Sequence, residues 1–326
     1  MNELYPLKFT PILKDKIWGG KKINKLLHKK DASDKCGESW EVSCLEGDIS
    51  VVSEGPLEGN ELTDLIEIYM GDLVGDKVFE TFGLEFPLLL KFIDAEDFLS
   101  IQVHPDDTIA LEKHNSFGKT EMWYIIQSEP GAELIAGFKQ KLDKTSYTKL
   151  LETGQIENVL NYEKVSPGDV YFIPSGRVHA IGPGILLAEI QQSSDITYRI
   201  YDFNRKDANG NSRELHNDSA LEAIDFMVHD SYKTIYPQIE NKTVNAVNCR
   251  YFNTNVMNFS KPVEKDLNFI DSFIIYMCTE GKGEIIYGDG ESVTFMKGET
   301  ILIPALLKSL IIKPEGHSTM LEVYLL

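Results

Sequence analysis

Along most of this chain, apolar and polar residues alternate over short runs instead of recurring at helical spacing. In "FLSIQVHPDD", Phe98 to Asp107, Leu99, Ile101 and Val103 fall on one side of an extended strand, and Ser100, Gln102 and His104 on the other. Pro105 has no N–H to give a sheet ladder, and the two aspartates after it suit a turn or a helix N-cap, so the strand is expected to stop at His104. Similar runs follow: "PLLLKFI", "MWYIIQ", "ELIAGF", "DVYFIP", "ILLAEIQQ", "TYRIYDF", "SFIIYMC", "GEIIYG", "SVTFM", "TILIP" and "TMLEVYLL", parted by Gly, Pro and Asp turns. Helical signals are short and few: "NELTDLIEIYM", "TIALEKH", "TSYTKLLETG", "QIENVLNY" and "DSALEAIDF". Many short strands and few helices predict an all-β sandwich, barrel or jelly roll.

A repeat organises these strands. "MWYIIQSEPGAELIAG" (122–137) aligns with "FIIYMCTEGKGEIIYG" (273–288), and "SPGDVYFIP" (166–174) with "MKGETILIP" (296–304), in the same order. Two β-domains of one plan are therefore expected, 1–235 and 236–326, with the polar stretch around 229–245 as their boundary. The copies differ in their polar side chains. Glu121 precedes the first strand where Ser272 stands in the second copy, and His179 lies five residues after Pro174 where Ser309 lies five after Pro304. The second copy, without metal-type side chains at these places, is expected to be structural.

Charge narrows the partners. The chain of 326 residues carries a net charge of −19 and no cluster of five or more basic residues. Nucleic acid and anionic membranes need a positive footprint and are excluded as partners; an anionic substrate must be met by a few local cations. "MNELYPLKFTPIL" lacks the pattern of a signal peptide and no apolar run reaches the length of a membrane span, so a cytoplasmic protein is expected. Cys36, Cys44, Cys249 and Cys278 form no C-x-x-C pair and are read as free thiols.

In "GDVYFIPSGRVHAIG", Gly168, Pro174, Gly176 and His179 have the spacing G-x5-P-x-G-x2-H. That spacing resembles the second metal-binding motif of the cupin superfamily, although Pro183 stands where the motif usually has asparagine. Set beside Gln102, His104 and Glu121, it offers two imidazoles, a carboxylate and an amide oxygen, a shell suited to zinc or another divalent first-row metal. Read singly, the two histidines fit unrelated surface positions as well.

"LSIQVHPDD", "GKTEMWYII", "IPSGRVHAIG" and "ITYRIYDFNR", with "WGG" (18–20) and "GESWEVS" (37–43), resemble in order the type I mannose-6-phosphate isomerase family, in its compact form without a large helical insertion. The resemblance covers most of residues 5 to 205 and extends more loosely to the C-terminal part. It implies a mostly β protein of two cupin-like jelly-roll β-barrel domains with a few short helices, acting on a small-molecule sugar phosphate. The implied reaction is an intramolecular oxidoreduction interconverting mannose 6-phosphate and fructose 6-phosphate by enediol proton transfer. One Zn2+ per chain would be held by Gln102, His104, Glu121 and His179. Arg199 and Lys119 match catalytic positions; Lys91 and Ser100, with Arg199, match phosphate contacts; Trp18, Glu38 and Trp40 would build the pocket wall. Gly118 stands where some members have histidine, so that histidine's role is not carried over. Two other readings stay open on the residues alone, a cupin-type iron oxygenase and a non-catalytic sugar-binding cupin.

Overall fold

The structure, a computed structural model, describes residues 3–206 and 210–326. Its strands pair antiparallel, as alternating runs joined by tight turns do. In the first domain a seven-stranded sheet runs in the order Lys233–Thr234, Val170–Ile173, Glu121–Ser128, Ile185–Gln192, Leu88–Ala95, Ile12–Gly20, Cys36–Val42. A five-stranded sheet faces it, in the order Leu160–Lys164, Glu133–Phe138, His179–Ile181, Ile101–Val103, Tyr198–Tyr201. The second domain repeats the plan with six strands, among them Thr300–Ile303, Ile274–Glu280, Ser318–Tyr324, Asn253–Phe259 and Lys242–Asn248, over a four-stranded sheet containing Val263–Asp266, Ser309–Pro314 and Lys282–Tyr287. The chain is mostly β with short helices, two cupin-like jelly rolls in series.

Alternation decides which face each side chain takes. On the large first sheet Trp123, Ile125 and Leu187 point inward to meet Leu134, Ala136 and Ile181. The residues between them, including Met122, Leu90 and Ile190, point outward and join one core with Val256, Ile275, Leu321 and Val323 of the second domain and with Leu62, Leu65 and Ile66 of the helix Leu62–Tyr69. The two domains thus share a core instead of a wet seam. The strand Leu7–Lys8 adds to the second domain's sheet by pairing with Thr300–Ile303. The glycines of "WGG" permit close approach: a Cβ on Gly19 would lie 2.2 Å from the Lys35 carbonyl oxygen, and one on Gly20 2.6 Å from the Asp94 carboxylate.

Several elements depart from the pattern reading. "QIENVLNY" divides into a 3-10 turn, Ile156–Val159, and a strand, Leu160–Lys164, whose pairing with Glu133–Phe138 overrides its helical spacing. Helices Gly71–Val74 and Asp76–Phe82 were hidden by the interrupting Gly71 and Gly75. The strands Lys242–Asn248 and Asn253–Phe259 were hidden by asparagines that read as turn formers.

Ladder register also corrects the repeat. Ile173 pairs with Glu121, and its counterpart Ile303, likewise just before the motif proline, pairs with Ile274. Ile274, not Ser272, therefore holds the place of Glu121. His179 lies two residues before Ile181, which pairs with Leu134; Leu310 lies two before Ile312, which pairs with Ile285. Buried Leu310, not exposed Ser309, holds the place of His179.

Candidate metal centre

Three strand ends of the first barrel bring the distant residues together. His179 opens its strand and pairs with Gln102 on one side and Ala136 on the other. His104 follows directly on the strand Ile101–Val103, and Glu121 opens the strand Glu121–Ser128 on the opposite sheet. Among the described residues, His104, Glu121 and His179 are the one histidine, cysteine or carboxylate group whose donor atoms gather within 4.8 Å, and all three are buried.

Each imidazole is turned the same way. His104 Nδ1 donates to the Ile196 carbonyl at 2.8 Å and His179 Nδ1 to the Arg177 carbonyl at 2.8 Å. That leaves both Nε2 lone pairs facing Glu121, at 3.4 Å from Oε2 and Oε1 respectively. Metal-binding histidines are oriented by such a bond from the other ring nitrogen. Glu121 Oε1 has no hydrogen-bond donor although it is buried, so it and the His179 Nε2 lone pair face each other with no proton between them, whereas Oε2 and His104 Nε2 both face the Lys119 ammonium. Burial first, then the Lys119 ammonium, pushes His104 down to about 3, and burial lowers His179 as well. Burial would raise Glu121, but Lys119 and the two imidazoles outweigh it and hold the carboxylate well below its usual range. Two neutral imidazoles and one carboxylate, all deprotonated, are the donor set a divalent cation takes. Gln102 lies 3.3 Å from His179 Nε2 through its amide, and its other end accepts from Ser100 Oγ at 3.3 Å. A half-turn of this near-symmetric amide gives the cluster an oxygen instead.

Lys119 is buried with this group, its ammonium 3.0 Å from His104 Nε2 and paired with Glu121 Oε2. Arg199 pairs in register with Gln102. Its Nη1 donates to the Glu214 carbonyl at 2.8 Å, while its Nε is buried without a partner. Lys91 lies on a central strand of the large sheet, bonded to Gln191 Oε1 at 2.7 Å and Glu189 Oε1 at 3.2 Å, with its ammonium 5.1 Å from the Trp40 ring centre. Trp40 Nε1 donates to Glu38 at 2.8 Å, and Lys16 pairs with the same carboxylate. Glu38, Trp40 and Lys91 are therefore one group, whereas Trp18 packs in the core with Ile93 and Trp123.

Pattern reading missed Glu189, which accepts from Trp123 Nε1 at 2.8 Å as well as from Lys91. A glutamate inside the apolar run "ILLAEIQQ" was the available signal, since a buried charge must be met by partners. It also missed Arg205 and Arg213, which converge on Asp202 and add to the positive field around Arg199. The cysteines are free; burial raises Cys36 to about 11 and Cys44 to about 12, which leaves both thiols protonated. No described helix is long and apolar enough to cross a membrane.

Comparison with known proteins matches residues 6–141 to "Phosphomannose isomerase type I, catalytic domain" and residues 242–325 to "Mannose-6-phosphate isomerase, cupin domain". The chain is 38% identical to mannose-6-phosphate isomerase ManA of Bacillus subtilis (strain 168) over 92% of its own length and 93% of that protein's. A mannose-6-phosphate isomerase of Streptococcus mutans is 33% identical over 93% and 94%. The crystal structure of the mannose 6-phosphate isomerase from Bacillus subtilis superposes with a TM-score of 0.87 at 34% identity, covering 98% of this chain and 99% of that one. Matched on both of its domains, and by relatives along nearly its whole length, the chain belongs to the type I phosphomannose isomerase family.

Proposed function

We propose that this protein interconverts mannose 6-phosphate and fructose 6-phosphate with one zinc ion held by Gln102, His104, Glu121 and His179. The observation that carries the metal is the pair of Nε2 atoms turned toward one buried carboxylate, of which one oxygen has no donor. Zinc bound there supplies a redox-silent positive charge beside the sugar oxygens, where negative charge develops as a proton moves between C1 and C2.

The remaining roles belong to the chain. Lys119, buried against Glu121 and His104, is the group proposed to hold and move the proton. Arg199 is proposed to take an anionic oxygen of the substrate, because its Nε is a buried cationic donor still without a partner. Ser100 and Lys91 are proposed to share the phosphate; Lys91 is already met by Glu189 and Gln191, so its share is the smaller. Glu38 and Trp40 hold Lys91 in place as the wall of the pocket. Residues 1–235 form the catalytic domain on this reading and 236–326 a barrel without metal ligands, in a cytoplasmic enzyme.

The test is turnover of fructose 6-phosphate in a coupled assay, with metal content measured on the same sample. A strong chelator is expected to abolish turnover, and zinc to restore it. Full activity in demonstrably metal-free protein overturns the zinc assignment. A zinc-loaded protein inert on both sugar phosphates overturns the activity.

A further inference from the structure

A cleft of about 1110 Å³ is walled in part by Asp107, Gln192, Arg250 and Tyr251. None of the four proposed ligands lines it. Tyr251 belongs to the turn between Lys242–Asn248 and Asn253–Phe259, so it comes from the C-terminal barrel. Its hydroxyl donates to Asp107 Oδ2 at 2.7 Å across 144 residues of sequence. The other oxygen of Asp107 accepts from Gln192 Nε2 at 2.9 Å and from the Gly118 amide at 3.1 Å. Gln192 then uses its own oxygen to accept the Thr120 amide at 2.8 Å, and its backbone N–H donates to the Thr120 carbonyl at 3.1 Å.

The result is a segment pinned at three successive amides: Gly118 by Asp107, Lys119 by the Pro105 carbonyl at 3.1 Å, and Thr120 by Gln192. Lys119 and Glu121 flank Thr120 directly. A carboxylate only accepts, so Asp107 with three donors around it has one satisfied arrangement, and Gln192, bonded at both ends, cannot turn its amide over without losing two bonds. Helix Asp107–His114 is itself anchored, because Asp106 caps it by accepting from the Ile109 N–H at 2.9 Å. The fit leaves no slack at Gly118, where a Cβ would stand 2.6 Å from the Asp107 nitrogen.

We propose that Tyr251, Asp107 and Gln192 are positioning residues that set where Lys119 and Glu121 stand, so that the C-terminal barrel takes part in a reaction it has no groups to perform. The inference rests on the isomerase reading above. Groups that orient metal ligands and reacting side chains lose about 10–100-fold in metal affinity or activity when removed, and a misplacement of about 1 Å has a similar cost.

Tyr251→Phe removes the donor and keeps the ring. Its zinc affinity, read by competition with a fluorescent chelator, is expected to fall about tenfold, and kcat about tenfold at saturating zinc, with KM within about twofold. Asp107→Asn is expected to do at least as much, and the double variant no more than Asp107→Asn alone, since both break one chain. Asp271→Asn serves as the control: Asp271 also ties the C-terminal barrel to the first domain, accepting the Asp76 and Lys77 amides at 2.8 and 3.2 Å, but leads to nothing at the centre. It should lower the melting temperature and leave zinc affinity unchanged. If Tyr251→Phe behaves like Asp271→Asn, with zinc affinity and kcat at wild-type values, positioning is overturned and the contact is only structural. If the wild-type protein itself neither binds zinc nor turns over sugar phosphate, the isomerase reading falls, and this inference with it.

Discussion

In the first barrel Glu189 stands on the ladder opposite Trp123 and Lys91; in the second, Glu322 stands opposite Tyr276 and Asn255 at the matching places. Both glutamates are buried. Trp123 Nε1 donates to Glu189 and the Tyr276 hydroxyl to Glu322, each at 2.8 Å, while Asn255 adds a 2.8 Å bond to Glu322. Both carboxylates also meet a lysine, Lys91 in one barrel and Lys265 in the other. Lys265 pairs with Leu310 as Gln102 pairs with His179, so the second barrel has a lysine where the first has an amide. The places of His104, Glu121 and His179 are filled by Leu267, Ile274 and Leu310, all buried and apolar. One barrel interior thus neutralises its carboxylate with an ammonium on its own chain and packs the rest with hydrocarbon. The other keeps a second carboxylate and two imidazole lone pairs converging on one point. A buried charge is tolerated in either, provided it is paired and hydrogen-bonded; what distinguishes the first interior is a second carboxylate, one oxygen of which faces an imidazole lone pair and has no donor of its own.

The sharpest break of the comparison is at the matching pair Glu121 and Ile274. Glu121→Ala is expected to lose the metal and on the order of 10³-fold in turnover, the loss of several kcal/mol of charge stabilisation. Ile274→Ala should cost about 2–5 kcal/mol of stability in a denaturant melt while leaving metal content and kcat of the folded protein intact. A metal-depleted Ile274→Ala protein would mean that the two interiors are not independent.

Next in size is the second barrel's own ion pair. Glu322→Ala strands the Lys265 ammonium and is expected to destabilise by about 3–5 kcal/mol, whereas Lys265→Met with Glu322→Leu together should be neutral or stabilising by about 1–4 kcal/mol. Chemical denaturation of the two variants separates these outcomes. A double variant as unstable as the single one would show that hydrogen bonds to Glu322, and not charge balance, hold that interior.

The smallest expected effect is a pH dependence, and it belongs to the first barrel. Lys91 there faces Glu38 as well as Glu189. Burial would raise Glu38, but Lys91, Lys16 and the Trp40 N–H outweigh it and lower it below its usual 4.5. A carboxylate lowered on folding adds stability that is complete above its unfolded value and lost as pH falls through the folded one. Stability should therefore decline from about pH 4.5 downward, and Glu38→Gln should flatten that decline in melts recorded across the acid range. An acid limb unchanged by Glu38→Gln would remove this carboxylate from the account.

How much of this was legible varied by element. Alternation in "LSIQV" and "DVYFIP" placed their strands, and the paired proline and glycine turns revealed the repeat, because both signals are local. The asparagine-rich strand Asn253–Phe259 was not legible: its side chains bond Glu322, Tyr324 and Asn245, partners 67, 71 and 8–10 residues away. The offset of one or two residues in the repeat was likewise invisible, since turns of different shape shift a ladder without disturbing the composition of its strands.

The sequence by itself determined the fold class, the pair of repeated domains and the residue types gathered around "SIQVH", since period, turn chemistry and side-chain donors are properties of short stretches. Tertiary structure alone decided that both imidazoles turn Nε2 toward one carboxylate, that Lys91 is already met by Glu189, and that Tyr251 reaches Asp107. Those are facts of orientation and of contact across distant parts of the chain, and they exist only once two sheets have closed around a common interior.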